Sequence, residues 1–330
     1  MTTFKEIRGT TIEVVSTDPT NPEAGQIWYN SSSGTLKGYA ALTAGWSSGG
    51  NLNTAKYFNY STGTQTAALN FGGTSSVPGT PGRTGNTELY NGTAWTNNPT
   101  GLNTARENVN GAGTQTATLA YGGYGPIYSS ASESFNGTSW TNTPSLNTAR
   151  YAGASAGTQT AALYAGGDAG PRTTATELWN GTAWTSNPTG LGVASYYNIG
   201  VGTQTAALSI GGRPPSTPNA QMYSFNGSAW TLSPATLNTG RGAGGGGGTQ
   251  TAAIFFGGND GTGQLTSTEL YNGTAWTSNP TGLAQARNHM GGNGSQTLAL
   301  GVGGYQTGAR NNTEEWTGPG SYATKTITVS

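Results

Sequence analysis

A seven-residue string that recurs six times constrains the fold more than any other feature of the chain. GTQTAAL or a close variant begins at these glycines: Gly63, Gly113, Gly157, Gly202, Gly248 and Gly294. The successive spacings are 50, 44, 45, 46 and 46 residues. A period near 45 with several short strands in each unit is typical of propeller blades rather than of helical solenoids. The repeat therefore predicts one large domain of six units, although 330 residues alone would allow two domains.

Each unit carries the signals of four short strands. In five units a basic residue lies seven positions before the GTQ glycine, and a first strand of small residues follows it. The second strand alternates apolar residues with period two and ends at a Gly-Gly pair. The third strand ends at Asn-Gly, which tolerates the positive φ of a tight type I′ hairpin, and the fourth begins at a tryptophan. We therefore expect an all-β chain that forms a six-bladed β-propeller of four-stranded blades.

The two ends of the repeat suggest how the blades close into a ring. The sixth unit ends in EEWTGPG and lacks the second tryptophan. Trp46 lies ten residues before Lys56, much as Trp95 lies eleven before Arg106, so the segment around Trp46 is expected to supply the missing outer strand. The C-terminal segment 322–329 is also strand-like and competes for this place. We predict a leader over residues 1–43 and a propeller over residues 44–330.

The order of basic residue, small strand, Gly-Gly, acidic-aromatic strand and tryptophan resembles the Kelch repeat over roughly residues 44–318. Ser195 and Tyr223 depart from it, in place of the basic and acidic residues of the fourth unit. The GTQTAAL, NGTAWT and NTAR segments are similar to those of Kelch-like proteins of marine bacteriophages. The leader segment PTNPEAGQIWYNSSSGTLKGY resembles hairpin modules of phage tail and virion proteins.

This resemblance implies a non-enzymatic virion component, a tail fibre or decoration protein made in the host cytoplasm without a signal peptide. The leader would attach to other virion proteins, and the propeller would act as an adhesin for a host-surface glycan or receptor. One alternative is a purely architectural spacer or assembly module. Another, less favoured, is a glycan-active enzyme of sialidase type, because NGTAWT loosely resembles the Asp-box with Asn in place of Asp.

Composition argues against several other classes of function. Charged residues make up 8% of the chain and balance to zero, which favours neither nucleic acid nor an anionic membrane as a partner. There is no cysteine and one histidine, His289, so neither thiolate chemistry nor a His-based metal site is expected. His289 is expected in a first strand. No segment is apolar enough for membrane insertion, and we expect no catalytic residue, cofactor or metal.

Charged residues recur once per unit in two series, which we interpret as structural ion pairs. The basic series is Lys56, Arg106, Arg150, Arg241 and Arg287, and the acidic series is Glu88, Glu133, Glu177, Glu269 and Glu314. The loops between the second and third strands differ from unit to unit, and variety on a constant scaffold is where specificity can lie. They carry the candidate ligand-binding residues Arg83, Tyr124, Tyr128, Arg172, Arg213 and Arg310. The alternative is that these loops are merely solvated. The opposite rim, with its GTQ and Asn-Gly turns, is expected to be inert.

Overall fold

The computed structural model describes residues 12–75, 82–214 and 218–327, which form β-strands and contain no helix. The all-β prediction is therefore confirmed. The chain divides into two compact units, one formed by Met1–Ala44 with Thr317–Ser330 and the other by Gly45–Trp316. We describe them in turn as the small unit and the large unit.

The small unit is a single four-stranded sheet in the order β1-β2-β3-β31. Its strands are β1 (Glu13–Val15), β2 (Ile27–Asn30), β3 (Thr35–Ala41) and β31 (Tyr322–Thr326). β1 runs parallel to β2, whereas β3 pairs antiparallel with β2 and with β31. Strand β31, within the strand-like C-terminal segment, thus pairs with β3 of the predicted leader.

Asp18 ties the small unit together. Its carboxylate accepts hydrogen bonds from Lys37 Nζ at 2.7 Å, Asn30 Nδ2 at 2.7 Å and Trp28 Nε1 at 3.0 Å. These bonds lower the pKa of Asp18 to about 2, and the bond from Lys37 makes the largest contribution to that shift. The indole of Trp28 is fully buried, so a charged side chain and an aromatic one fix the same sheet.

The described residues of the large unit form six four-stranded sheets and a short three-stranded one. Sheet 1 is β6 (Tyr60–Gly63), β7 (Ala68–Phe71), β10 (Thr87–Tyr90) and β11 (Trp95–Asn97). Sheet 2 is β12 (Asn110–Gly113), β13 (Thr118–Tyr121), β14 (Ser132–Phe135) and β15 (Trp140–Thr143). Sheet 3 is β16 (Ala154–Gly157), β17 (Ala162–Ala165), β18 (Thr176–Trp179) and β19 (Trp184–Asn187).

The remaining sheets repeat the pattern. Sheet 4 is β20 (Ile199–Gly202), β21 (Ala207–Ile210), β22 (Met222–Phe225) and β23 (Trp230–Leu232). Sheet 5 is β24 (Gly245–Gly248), β25 (Ala253–Phe256), β26 (Thr268–Tyr271) and β27 (Trp276–Asn279). Sheet 6 is β28 (Gly291–Gly294), β29 (Leu298–Val302), β30 (Thr313–Thr317) and β4 (Gly45–Ser48). The short sheet is β5 (Lys56–Tyr57), β8 (Thr74–Ser75) and β9 (Gly82–Arg83).

The first strands of successive sheets pack against one another, and β28 packs against β6. The six sheets therefore follow one another in a closed cycle, which is a propeller-like arrangement. β4 is the outer strand of sheet 6, where Trp46 Nε1 donates a hydrogen bond to Thr268 Oγ1 of sheet 5 at 2.8 Å. The N-terminal segment thus occupies the position that the offset of Trp46 predicts.

The basic and acidic series form five buried ion pairs, as the structural interpretation expects. Arg106 Nη2, for example, lies 2.6 Å from Glu133 Oε1, and both side chains are almost fully buried. The other oxygen of Glu133 accepts the backbone N–H of Asn103 at 2.6 Å, and the other four glutamates bond their loops in the same way. Each pair thus fixes the loop that enters the first strand.

The glutamine of each GTQ turn clamps neighbouring sheets together. Gln115 Nε2 donates hydrogen bonds to the carbonyls of Ala68 and Tyr90, both in sheet 1. Gln65 bonds in the same way to Ala299 and Trp316 of sheet 6, which closes the cycle. The other glutamines repeat this contact with the preceding sheet. The recurring GTQ string is therefore an inter-sheet fastening as well as a turn.

The Asn-Gly turns differ from the type I′ prediction, which is wrong. Tyr90 pairs with Trp95, so four residues form the loop, and only Gly92 takes a positive φ, of 90°. Asn91 Oδ1 accepts the backbone N–H groups of Thr93 at 3.0 Å and Ala94 at 2.8 Å. The asparagine side chain therefore closes the turn as a local hydrogen-bond acceptor, and its own backbone needs no left-handed conformation.

Candidate functional site

Six residues, each two positions before the first strand of a sheet, form a closed ring of backbone hydrogen bonds. We call them the hub residues: Phe58, Asn108, Ala152, Tyr197, Ala243 and His289. Each backbone N–H donates to the carbonyl of the hub residue in the preceding sheet, over distances of 2.6 to 3.4 Å. Asn108 N–H, for example, donates to Phe58, and Phe58 N–H donates to His289. His289 thus lies just before the first strand of sheet 6, whereas the sequence predicts it within that strand.

The aromatic side chains of the hub residues contact one another. The ring centroids of Phe58 and His289 are 4.3 Å apart, and those of Tyr197 and His289 are 4.8 Å apart. Phe58 and Tyr197 stack nearly parallel at 6.3 Å. All six hub residues line one cavity of about 70 Å³, which we call the hub cavity. Three side chains from sheets 1, 4 and 6 therefore form a common aromatic surface.

The electrostatics of the hub favour uncharged side chains. Burial, and secondarily the positive charge of Arg213, lower the pKa of His289 to about 3. Burial likewise raises the pKa of Tyr197 above its usual value. The Nδ1 atom of His289 lies 2.9 Å from Asn288 Oδ1. At neutral pH the hub therefore carries a neutral imidazole and a neutral phenol.

A second set of positions surrounds the hub. In every unit the residue just before the hub residue pairs through its backbone with the residue just after the Gly-Gly pair. The pairs are Tyr57 with Thr74, Glu107 with Tyr124, Tyr151 with Asp168, Tyr196 with Arg213, Gly242 with Asn259, and Asn288 with Tyr305. The backbone frame is thus the same six times over, whereas the side chains that it presents differ in each unit.

Tyrosines cluster at this frame in units two and three. Tyr124 and Tyr128 meet edge to face at 5.6 Å, and Tyr128 stacks on Tyr151 at 5.7 Å. Arg83 lies over Tyr124 at 4.6 Å and pairs with Glu107 at 3.4 Å. We call Tyr124, Tyr128 and Tyr151 the tyrosine cluster. Together with Arg83, it brings together three of the six residues that the sequence singles out.

The other three candidates have separate surroundings. Arg172 lies 4.7 Å from the centre of the Tyr196 ring, which in turn contacts Tyr151 at 6.4 Å. Arg213 Nη2 donates to Asn259 Oδ1 at 2.6 Å. Arg310 donates to Gln306 of its own loop. The structure therefore links Arg172 to the tyrosine cluster and Arg213 to the hub, and leaves Arg310 in local contact.

Sequence reasoning missed most of the aromatic residues of this face. Phe58, Tyr197 and Tyr305 are not among the candidate residues, and the sequence predicts His289 as a strand residue. A signal was present, because the two positions after the recurring basic residue are aromatic in several units and differ between units. What the sequence does not show is that these positions converge on one hydrogen-bonded ring.

Within residues 12–75, 82–214 and 218–327, no group of three or more His, Cys, Asp or Glu side chains is arranged to hold a metal ion. The same residues include no helix long and apolar enough to cross a membrane. No protein-family model matches the chain, and no curated protein is significantly similar to it.

Proposed function

We propose that the large unit is a six-bladed propeller of Kelch type whose face around the hub binds a ligand. The six four-stranded sheets in a closed cycle support the number of blades. The buried pairs of a basic residue with a glutamate, once per unit in five units, agree with the Kelch-like pattern of the sequence. In this cycle the first strand of every sheet packs against the first strands of its two neighbours, so one edge of every sheet is protected.

The observation that carries the binding proposal is the contrast between a constant backbone frame and variable side chains on it. The frame and the hub repeat in all six units, yet they present tyrosine, arginine, acidic, amide and small residues in turn. Partly exposed aromatic rings and arginine forks suit sugar rings and their polar groups. A scaffold that only spaced two partners would not need such variety at one face.

We further propose that this protein is a non-enzymatic virion component of a bacteriophage. It presents the hub residues and the paired positions that surround them, which we call the hub face, to a host-surface glycan or receptor. The small unit would attach it to other virion proteins. Four of the seven large apolar side chains exposed among the described residues lie in that unit: Ile12, Val14, Tyr29 and Tyr322. Val14 is 66% exposed and pairs directly with Tyr29, so apolar surface there is available for a partner.

Binding of the full-length protein to a glycan array and to host cells tests the proposal. Replacing Arg172, Arg213 and Arg310 together by Ala should weaken binding while the melting temperature stays nearly unchanged, because none of them forms an ion pair among the described residues. The matched control replaces Asn91, Asn180 and Asn272 by Ala, which should lower stability through the turns and leave affinity intact. If the unaltered protein binds nothing in any of these assays, the architectural alternative is favoured. Hydrolysis of an arrayed glycan would favour an enzyme.

A further inference from the structure

The hub residues keep side chains at positions where the chain elsewhere uses glycine. Among the described residues, every other position with positive φ is a glycine, and the six non-glycine exceptions are the hub residues. A non-glycine residue in this conformation costs about 1–2 kcal/mol, with Asn the most tolerant. Bulky aromatic residues at three of these positions are therefore a strain that glycine would remove. Strain of this kind concentrates where side chains have a role in function.

The aromatic hub side chains are not sealed inside the protein. Phe58, Tyr197 and His289 are each partly exposed, whereas the neighbouring Ala152 and Ala243 are buried. The small side chain of Ala243, which lies between Tyr197 and His289 in the hydrogen-bonded ring, lets these two aromatic rings meet. The result is an aromatic surface, beside a small cavity, that can cover the apolar face of a bound molecule.

Arg213 differs from Arg83, Arg172 and Arg310 in its relation to the hub. Arg83 pairs with Glu107, Arg172 lies on Tyr196, and Arg310 bonds to Gln306. Like Arg310, Arg213 bonds to a neutral amide, here that of Asn259, and no carboxylate of the described residues pairs with it. Arg213 pairs through its backbone with Tyr196, which directly precedes the hub residue Tyr197, and its charge acts on the pKa values of both His289 and Tyr197.

We propose that the hub and Arg213 together form a binding site for a carboxylate-bearing sugar. Arg213 pairs with the planar carboxylate of the sugar, which matches the guanidinium fork. The apolar face of the sugar ring lies against the side chains of Tyr197, Phe58 and His289. This inference rests on the proposed function and names its ligand class.

Isothermal titration calorimetry and saturation-transfer NMR with the full chain test this site. The probes are the methyl glycosides of glucuronic, galacturonic and N-acetylneuraminic acid, with methyl glucoside as the neutral counterpart of the first. We expect at least one acid to bind at least tenfold more tightly than methyl glucoside. Arg213→Gln should weaken that binding at least tenfold, whereas Lys325→Gln, which removes an exposed positive charge of the small unit, should leave it unchanged.

Tyr197→Asn separates ligand contact from folding. Asparagine accepts positive φ and already occupies the equivalent hub position at Asn108, so the hydrogen-bonded ring should persist. We expect weaker binding of the acid with a melting temperature close to that of the unaltered protein. Unchanged affinity in Arg213→Gln, or equal binding of acid and glucoside, overturns the inference.

The two proposals fail in different ways. If the tyrosine-cluster variant Tyr124→Ala/Tyr128→Ala loses host-cell binding while no acidic sugar binds the protein, the acidic-sugar site is refuted and the proposed function stands. If neither cells nor any glycan bind, both are refuted. Binding of sulfated sugars alone, without any carboxylate, also refutes the carboxylate site.

Discussion

Removing one partner of a buried ion pair should destabilise the large unit far more than removing an exposed pair. Glu133→Gln leaves the charge of the Arg106 guanidinium buried and unpaired, because the carboxylate that lies 2.6 Å from its Nη2 becomes a neutral amide. Arg106 keeps hydrogen bonds to the carbonyls of Gly122 and Ala131, but neither offsets its charge. Breaking such a pair costs about 3–5 kcal/mol. At 2–4 °C per kcal/mol for a large domain, the melting temperature should fall by roughly 6–20 °C.

The fourth unit supplies a neutral replacement for the same pair. There Ser195 and Tyr223 stand in place of the basic and acidic residues, and Gly192 makes room, since a Cβ at Gly192 would lie 2.9 Å from the Tyr223 ring. The combined variant Asn103→Gly/Arg106→Ser/Glu133→Tyr transplants this solution into the second unit. It should recover most of the stability lost in Glu133→Gln, because no buried charge remains unpaired.

Urea unfolding followed by tryptophan fluorescence measures both variants. Arg83→Ala is the control, since Arg83 belongs to a more exposed pair, whose side chains are 36% and 16% exposed, and should cost less than about 1 kcal/mol. A Glu133→Gln protein within 1 kcal/mol of the unaltered one would refute the reasoning, and so would a triple variant no more stable than Glu133→Gln.

Four further outcomes are expected. Gln115→Ala should cost about 1–3 kcal/mol in urea unfolding, because two carbonyls of the preceding sheet lose their donor, whereas Ala at the exposed Thr116 should not. Ala243→Gly should raise the free energy of unfolding by roughly 0.5–1 kcal/mol, because glycine adopts the positive φ of this position without strain. A lower free energy of unfolding would contradict the strain argument. Because the pKa of His289 is lowered to about 3 in the folded state, stability should be full above pH about 6.5. It should then decline as pH falls towards 3, by at most about 1.4 kcal/mol per pH unit, and His289→Asn should flatten that decline. Deleting residues 1–55 should lower the melting temperature sharply, since β4 completes sheet 6, and an unchanged melting curve would show that β4 is dispensable.

The strands and the ion pairs could be predicted because the same local sequence pattern recurs in six units. Alternating apolar residues, the Gly-Gly pair and the tryptophan each mark a strand without knowledge of the neighbours. The offset of Trp46 from Lys56 placed the N-terminal strand in the same way. The turn type was wrong because the Asn91 side chain, and not the backbone preference of Asn-Gly alone, decides the geometry of that loop.

The glutamine clamp and the hub could not be predicted, because both exist only between units. In the sequence alone Gln115 is an ordinary polar turn residue, and its hydrogen bond to sheet 1 exists only once the sheets are packed together. Phe58 and Tyr197 are 139 positions apart in the chain and come together only when the cycle closes. A contact of this kind leaves no local pattern in one sequence, and positive φ at an aromatic residue runs against every propensity that sequence reasoning uses.

The fourth unit departs most from the repeat, and its departures are coupled. In five sheets the outer tryptophan donates to the hydroxyl of the residue that begins the third strand of the preceding sheet. Met222 takes that place in the fourth unit, and Trp276 Nε1 is left without a hydrogen-bond partner among the described residues. The same unit has lost its ion pair, yet it contributes Tyr196, Tyr197 and Arg213 to the hub face. The unit that departs most from the structural pattern of the repeat is therefore also the unit that supplies side chains to the proposed site. This is expected where function competes with stability.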